Sequence, residues 1–293
     1  MVFPKDSWRR CVRVYNRGMM TPTPGAHHGV PFKDYLSWDA VSVHDLMLVR
    51  RSPAHLREAR LNPKEPTANM RFGTAAHAWI LLEPDEAARE LIVCPKVDRR
   101  TKAGKAAYAE FEADAGDRTI VSEEEALQLS AMKAAVHDSA AARNLLLEAA
   151  DREVSCCWEA EDFDGMLCRG RPDAMSRKLI VDLKTSYDAS PKEFARTAAN
   201  FKYHAQAAYY LDGLKRIDAV DEDAMFAFLV VEKLPPYGVA CYVLDEDAMQ
   251  AGREFYMNGL ASYAECRSTN HWNGYSSSAK VETLSLPRWS LES

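Results

Sequence analysis

The sequence predicts an α/β or α+β fold in which a central mixed β-sheet is flanked by helices. Three observations favour this class: the first half of the chain has helical periodicity, strand patterns begin near Glu153, and later strands alternate with helical segments. Residues 36–293 are long enough for a single domain. Residues 1–35 contain "TPTPGAHHGVP" and no sustained period, so we expect an N-terminal tail there.

The helices of the first half are predicted from their start signals. Ser42 and Asp45 form a capping-box pattern, and Ser52 precedes a proline at a first helical position. The segment "MRFGTAAHAWILLEP" is apolar on nearly all sides, which predicts a buried helix that ends at Pro84. A second capping-box pattern at Ser122 begins two helices separated at "HDSA".

The second half is predicted to contain the sheet. "REVSCCWEA" and "MLCRGRPDA" are expected to form a β-hairpin with Gly165 in its turn, followed by the apolar strand "KLIVDLKT". A helix capped by Ser190, with Glu193 completing a capping box, leads into the helical "FKYHAQAAYYLDGL". "AMFAFLVVEK" and "GVACYVLD" predict a strand pair around "LPPYG", and an amphipathic helix follows.

The composition limits the classes of function. The 293 residues are 47% hydrophobic and 27% charged, with a net charge of −6, so any nucleic-acid binding must use a local basic surface or a metal ion. The 7 cysteines contain no CxxC pair, which argues against an iron–sulfur cluster and predicts reduced thiols in a cytoplasm. The start of the chain does not resemble a signal peptide, and no apolar run approaches the length of a membrane span.

The residues with the clearest chemistry lie in "CRGRPDAMSRKLIVDLKTS". Asp182 and Lys184 are two positions apart on a strand, so their side chains project from the same face. If that strand pairs with the preceding one, Asp173 converges with Asp182 on one hard cation such as Mg²⁺. A surface salt bridge between Asp182 and Lys184 is the alternative.

Two helices could complete the site. Tyr203, Gln206 and Tyr210 share one helical face, and an amide within such a face requires a polar partner. His77 lies in the middle of an apolar helix and could bind a metal only if that helix faces the two aspartates. Ordinary core packing is the alternative for both helices.

"GRPDAM" and "KLIVDLKTS" resemble the signature of PD-(D/E)xK nucleases, and "YHAQAAYY" resembles the QxxxY motif of the RecB and lambda-exonuclease branch. With "SPAHLREA", "FGTAAHAWILLEP", "VDRRTKAGKAAYAEF" and "LSLPRW", the stretch from Leu36 to Trp289 is similar to the nuclease domain of RecE-type exodeoxyribonuclease VIII. The resemblance therefore implies a PD-(D/E)xK nuclease core.

The resemblance also implies roles for individual residues. Lys184 would position the attacking water, and Gln206 and Tyr210 would belong to the helix that lines the active site. The cofactor would be Mg²⁺, with Mn²⁺ as a substitute. Four groups would bind it: the side chains of His77, Asp173 and Asp182 and the backbone carbonyl of Leu183.

Enzymes of this group degrade linear double-stranded DNA from its ends, 5′ to 3′, and leave a 3′ single strand for an annealing protein. They tend to form rings, so we expect a homo-oligomer such as a trimer or tetramer, without a membrane partner. A role in recombination and a phage or prophage origin in a bacterial cytoplasm would follow.

Five basic residues are candidate contacts to DNA phosphates. Arg99, Arg100 and Lys105 lie in the densest basic cluster of the chain. Arg169 and Arg171 alternate on a predicted strand beside the site, where they could touch phosphate or pair with acids of the hairpin.

Two other functions remain possible from the sequence. One is an endonuclease or a CRISPR-associated RecB-like nuclease on the same core. The other is a DNA-end-binding module that has lost activity, although the joint presence of Asp173, Asp182 and Lys184 argues against it.

Overall fold

The computed structural model describes residues 20–276, 281, 283–287 and 290, and it confirms the predicted mixed α/β class. The helices are α1 Phe32–Leu36, α2 Val43–Arg51, α3 Pro53–Leu61, α4 Ala68–Leu81, α5 Pro84–Glu90, α6 Lys102–Ala115, α7 Glu123–Asp138, α8 Ala140–Glu148, α9 Pro191–Phe201, α10 Tyr203–Arg216 and α11 Glu246–Thr269. The strands are β1 Gly25–His27, β2 Val41–Ser42, β3 Leu91–Cys94, β4 Thr119–Ser122, β5 Asp151–Arg152, β6 Ser155–Ala160, β7 Met166–Gly170, β8 Ala174–Met175, β9 Leu179–Ser186, β10 Met225–Glu232 and β11 Val239–Val243.

A five-stranded sheet with the order β11-β10-β9-β8-β5 forms the centre of the molecule. β9 and β10 pair in parallel, and the other pairs are antiparallel. Successive residues of β9 enter different cores: Ile180 packs with α10 and α11, whereas Val181 and Leu183 pack with α4, α7 and α8. Because both faces are covered, β9 is a nearly continuous apolar run, as the sequence predicts.

A second sheet, of order β1-β6-β7-β2, contains the predicted hairpin β6–β7 with Gly165 at a positive φ of 66° in its turn. β1 pairs with β6 in this sheet, and α1 follows it. Residues 20–35, which we expected in a tail, are therefore partly built into the fold. Residues 1–19 of the expected tail lie outside the described residues.

The helix starts agree with the sequence except at Ser190. The capping boxes at Ser42 and Ser122 both form. Ser190 is the N-cap of α9, but its side chain makes no capping hydrogen bond, so the predicted box with Glu193 is absent. The backbone N–H of Ser190 instead donates to the carboxylate of Asp188 at 2.8 Å, which stabilises the turn before the helix.

Helix α4 is buried only in its second half. Ala75, Ala76 and Ile80 are in the core, whereas Met70 is 61% exposed, so the expectation of burial on all sides is wrong for the first turns. Among the described helices, none combines the length and the apolar character needed to cross a membrane. The described cysteines, six in number, are all free thiols.

Helix α10 packs closely on β6 because it has a glycine at the contact. A methyl group on Gly213 would overlap the indole ring of Trp158, which also packs on Tyr209 with ring centroids 4.8 Å apart. The missing side chain lets α10 approach the second sheet while its other residues reach the central sheet.

We expect Gly213→Ala to lower the free energy of unfolding by about 1–3 kcal/mol, because the added methyl overpacks the contact with Trp158. Gly73→Ala is the matched control: Gly73 is also in a helix, and a methyl there would meet nothing within 4 Å. The control should be neutral or more stable by up to about 1 kcal/mol. Urea unfolding checks both, and equal effects of the two substitutions would contradict this packing.

Candidate active site

Asp173 lies at the point where β8 and β9 separate. The two strands pair only at Ala174 with Val181 and at Met175 with Ile180. One residue further, Oδ2 of Asp173 accepts a hydrogen bond of 2.7 Å from the backbone N–H of Leu183. A carboxylate thus occupies the position of a strand partner. In an extended strand the N–H and C=O of one residue point to the same edge, so the carbonyl of Leu183 also faces Asp173.

Asp182, Lys184 and Gln206 form a closed group on the α10 side of β9. Gln206 donates from Nε2 to Oδ1 of Asp182 at 2.6 Å and accepts from Nζ of Lys184 at 3.0 Å. Lys184 Nζ also lies 2.6 Å from Oδ2 of Asp182. Asp182 is only 2% exposed. Gln206 therefore has the polar partners that its position in an apolar helix required.

The ring of Tyr203, which the sequence places on the same helical face as Gln206, also contacts the ammonium group of Lys184. Nζ of Lys184 lies 4.3 Å from the ring centroid of Tyr203, the first residue of α10. Burial alone would lower the pKa of Lys184, but Asp182, Tyr203 and Asp173 outweigh it and raise this pKa above its ordinary value. Lys184 therefore stays a cation.

His77 reaches the site from α4, on the opposite face of the sheet. Its Nδ1 lies 3.0 Å from Oδ1 of Asp173. Burial would lower the pKa of His77, but the charge and hydrogen bond of Asp173, with smaller effects of Asp182 and Glu153, raise it to about 9. Burial likewise opposes ionisation of Asp173, but His77 holds its pKa below the ordinary value. Helix α4 therefore faces the two aspartates, which was the condition for His77 to bind a metal ion.

Glu153 is the site residue that the sequence analysis missed. β5 pairs with β8, Arg152 opposite Ala174, and the backbone N–H of Glu153 donates to the carbonyl of Asp173 at 3.2 Å. Ligand atoms of His77, Glu153 and Asp173 all lie within 4.8 Å of one another. Burial and the nearby Asp173 raise the pKa of Glu153. Glu153 sits at a positive φ of 50° before a strand, and no local motif marks it.

The donor set fits a divalent metal ion. In near-octahedral Mg²⁺ sites the ligands lie about 2.0–2.1 Å from the ion, so neighbouring ligand atoms are about 3.0 Å apart. Nδ1 of His77 and Oδ1 of Asp173 have this separation, at 3.0 Å. Oδ2 of Asp182 is buried, and the ammonium group of Lys184 lies 2.6 Å from it. His77, Glu153, Asp173, Asp182 and the Leu183 carbonyl could supply the ligands.

A family model described as "PDDEXK-like domain of unknown function (DUF3799)" matches residues 42–285. The chain belongs to this family. Membership establishes the PD-(D/E)xK class that the motifs predict, without singling out the RecE branch, and it supports a nuclease. No curated protein matches the chain significantly.

A solved structure has the same fold as the PDDEXK-like domain. The crystal structure of a protein named "Putative exonuclease" from Eubacterium rectale covers 100% of this chain and 98% of its own, with a TM-score of 0.55 and 10% identity. At this identity the similarity shows the fold alone. The crystal structure of SSO0001 covers 75% of this chain and 76% of its own at 18% identity, and its TM-score of 0.30 carries no argument.

Tyr210 of the PDDEXK-like domain supports the site from behind. It is 8% exposed, and its ring packs against Gly170, where a methyl group would come within 3.0 Å of the ring. Burial is the main cause that raises the pKa of Tyr210, and a hydrogen bond with the backbone of Arg171 opposes the rise. The ring thus packs against the end of β7, three residues before Asp173.

Arg169 and Arg171, predicted as candidate DNA contacts, bind the protein itself. Nη1 of Arg169 donates to the carbonyls of Tyr35 and Leu36 at 2.6 Å and 2.9 Å. Nε of Arg171 pairs with Glu153 at 2.8 Å, and Nη1 donates to the carbonyl of Val30 at 2.8 Å. These contacts fasten the segment before β2 onto β7. The alternative of pairing with an acid is therefore correct for Arg171, and neither side chain is free for phosphate.

The other basic candidates lie apart from the acidic group. Arg99 and Arg100 precede α6, which connects the parallel strands β3 and β4 of a separate two-stranded sheet, and Lys105 lies on α6 itself. Arg99 stacks on Tyr108 with its guanidinium carbon 3.8 Å from the ring centroid, and Arg100 pairs with Asp98 at 3.0 Å. All three are exposed, and no described contact joins them to the acidic group.

The pair of His77 with Asp173 predicts a pH dependence of stability in the metal-free protein. The folded pKa of about 9 exceeds the unfolded value of 6.5, so the contribution of the pair is complete below pH 6.5 and is lost as the pH rises toward 9. Its size follows from about 1.4 kcal/mol per unit of pKa difference.

Urea unfolding with a chelator, at pH 6 and pH 9, compares the wild type with His77→Asn. The advantage of the wild type should shrink as the pH rises, because the imidazolium is lost. An equal difference in the free energy of unfolding at both pH values would contradict the assigned pair.

Proposed function

We propose that this PDDEXK-like domain is a metal-dependent exonuclease that degrades linear double-stranded DNA from its ends. The single observation that carries the proposal is the convergence of His77, Glu153 and Asp173 within 4.8 Å, beside a lysine paired with Asp182 at 2.6 Å. Clustered carboxylates with an adjacent fixed ammonium group are suited to hydrolysis of a phosphodiester.

The side chains at the site would have separate roles. A divalent ion, once bound, would polarise the phosphate and lower the pKa of a water molecule. Lys184, held by Asp182, Gln206 and Tyr203, would orient that water and stabilise the negative charge that develops on the phosphate. Gln206 would hold the side chains of Lys184 and Asp182 in place relative to each other, because it forms hydrogen bonds with both.

The finer features of the proposal rest on the resemblance to RecE-type enzymes. These features are Mg²⁺ or Mn²⁺ as the cofactor, 5′ to 3′ polarity, a ring of three or four subunits, delivery of a 3′ strand to an annealing protein, and a recombination role in the cytoplasm of a phage-infected bacterium. Arg99, Arg100 and Lys105 would then contact DNA phosphates from the separate β3–α6–β4 unit, since their side chains are exposed.

Asp182→Asn and Glu153→Gln should each abolish or strongly reduce Mg²⁺-dependent nucleotide release from linear duplex DNA, because each removes a charge from the proposed metal ligands. The assay uses duplex labelled at the 5′ or the 3′ end, with and without Mg²⁺. Asp85→Asn, at the exposed start of α5, is the matched control and should retain full activity. Wild-type rates in Asp182→Asn would refute the proposed site.

Closed circular duplex is the test for end dependence. An exonuclease should leave the circle intact while it degrades the linearised form, and early release of the 5′ label would establish the polarity. Cleavage of the circle would instead assign an endonuclease, and binding to DNA ends without cleavage would assign an inactive module.

Lys184→Met should lower kcat by about 100-fold or more, while the Mg²⁺ concentration for half-maximal activity changes much less, because an ammonium group is not a metal ligand. Lys178→Met is the control, since Lys178 is exposed just before the same strand. Single-turnover rates across a Mg²⁺ titration separate the two effects. A normal kcat in Lys184→Met would remove its proposed role.

A further inference from the structure

A group of aromatic and basic side chains lies at the carboxyl ends of the parallel strands β9 and β10. Tyr187 follows β9 and Lys233 follows β10. The backbone N–H of Lys233 donates to the carbonyl of Ser186 at 2.8 Å, which keeps the two strand ends adjacent. Gln128 of α7 donates to the carbonyl of Lys233 at 2.5 Å and fixes the position from the other side.

Lys233 lies between two rings. Its Nζ is 5.0 Å from the ring centroid of Tyr187 and 5.7 Å from that of Phe72, which is on α4. Tyr187 is nevertheless 67% exposed. Most of the surface of this ring is therefore open to solvent beside the ammonium group of Lys233. We call Phe72, Tyr187 and Lys233 the aromatic–lysine cluster.

Two elements, β9 and α4, connect the aromatic–lysine cluster to the acidic site. Tyr187 is three residues beyond Lys184 on the strand path, which is about 10 Å. Phe72 is five residues before His77 on α4, or about 7.5 Å along the helix axis. Both distances are within the reach of a few nucleotides of a DNA strand.

We propose that the aromatic–lysine cluster is a subsite that stacks one unpaired nucleobase of the DNA strand while the acidic site holds a nearby phosphate of the same strand. The inference rests on the proposed nuclease function and adds the substrate contact that positions the strand. An exposed aromatic ring stacks with any base, and the ammonium group of Lys233 attracts the adjoining phosphate. Because stacking does not depend on the base, this contact suits an enzyme that must accept every sequence.

Fluorescence of 2-aminopurine tests the contact without any turnover. Asp182→Asn protein with Mg²⁺ is mixed with linear duplex DNA that carries a single 2-aminopurine at the first, second, third or fourth position from the 5′ end. Stacking on a tyrosine ring quenches this base. We expect quenching to be strongest at one of these positions, to be lost when Tyr187→Ala is added and to persist with Tyr187→Trp.

Steady-state kinetics give a second measurement in the otherwise unchanged chain. Tyr187→Ala should raise KM between about 5-fold and 100-fold, as expected for one stacked base, with kcat within about twofold. Tyr187→Trp should restore KM. Tyr275→Ala is the matched control, because Tyr275 is also highly exposed, at 74%, and also contacts a basic side chain, that of Arg51.

The results separate this inference from the proposed function. Normal KM in Tyr187→Ala, or equal quenching with and without the ring, would overturn the subsite while the nuclease assignment stands. Quenching that depends on Tyr187 in a chain without nucleotide release would support the subsite as a DNA contact and overturn the nuclease. An equal loss in Tyr275→Ala would show a nonspecific effect and would also overturn the subsite.

Discussion

The site depends on one electrostatic constraint: three carboxyl groups are brought together at a largely buried sheet edge. Asp173 and Asp182 are 7% and 2% exposed, and Asp173 is close enough to Glu153 to raise the pKa of Glu153. Each carboxylate has its own cation: His77 for Asp173, Lys184 for Asp182 and Arg171 for Glu153. Without these three pairs, the cost of burying like charges would favour protonation or opening of the edge.

This pairing also shapes the response to a metal ion. His77 is charged at neutral pH in the metal-free protein, since its pKa is about 9, so the three pairs are close to neutral as a group. A dication that displaces the proton of His77 changes the local charge by about one positive unit. The metal-loaded edge would then attract a phosphate, although the chain as a whole carries a net charge of −6. The proposed affinity for DNA would thus depend on local charge.

The sequence predicts the parts of this site that follow from strand periodicity. Asp182 and Lys184 alternate with apolar residues of β9, so their shared face was predictable. His77 and Gln206 were candidates because each lies in an apolar helix, and the motif resemblance then assigned their roles. Glu153 was not predictable, because its position depends on the pairing of the two-residue strands β5 and β8. Arg169 and Arg171 were wrongly predicted to contact DNA, because their guanidinium groups donate to backbone carbonyls of residues 30–38. The sequence predicts a tail up to residue 35, so these acceptors were not expected in the fold.

The short length of β8 connects the fold to the chemistry. The side chains of Asp182 and Lys184 project from β9 toward α10, whereas His77 approaches from α4 on the other face of the sheet. These groups could not meet through an intact sheet. Because β8 begins only at Ala174, the preceding Asp173 turns into the gap, bonds to Leu183 and contacts His77. The gap is therefore where side chains from both cores can reach one ion, so shifts of α4 or α10 against the sheet would alter the ligand geometry.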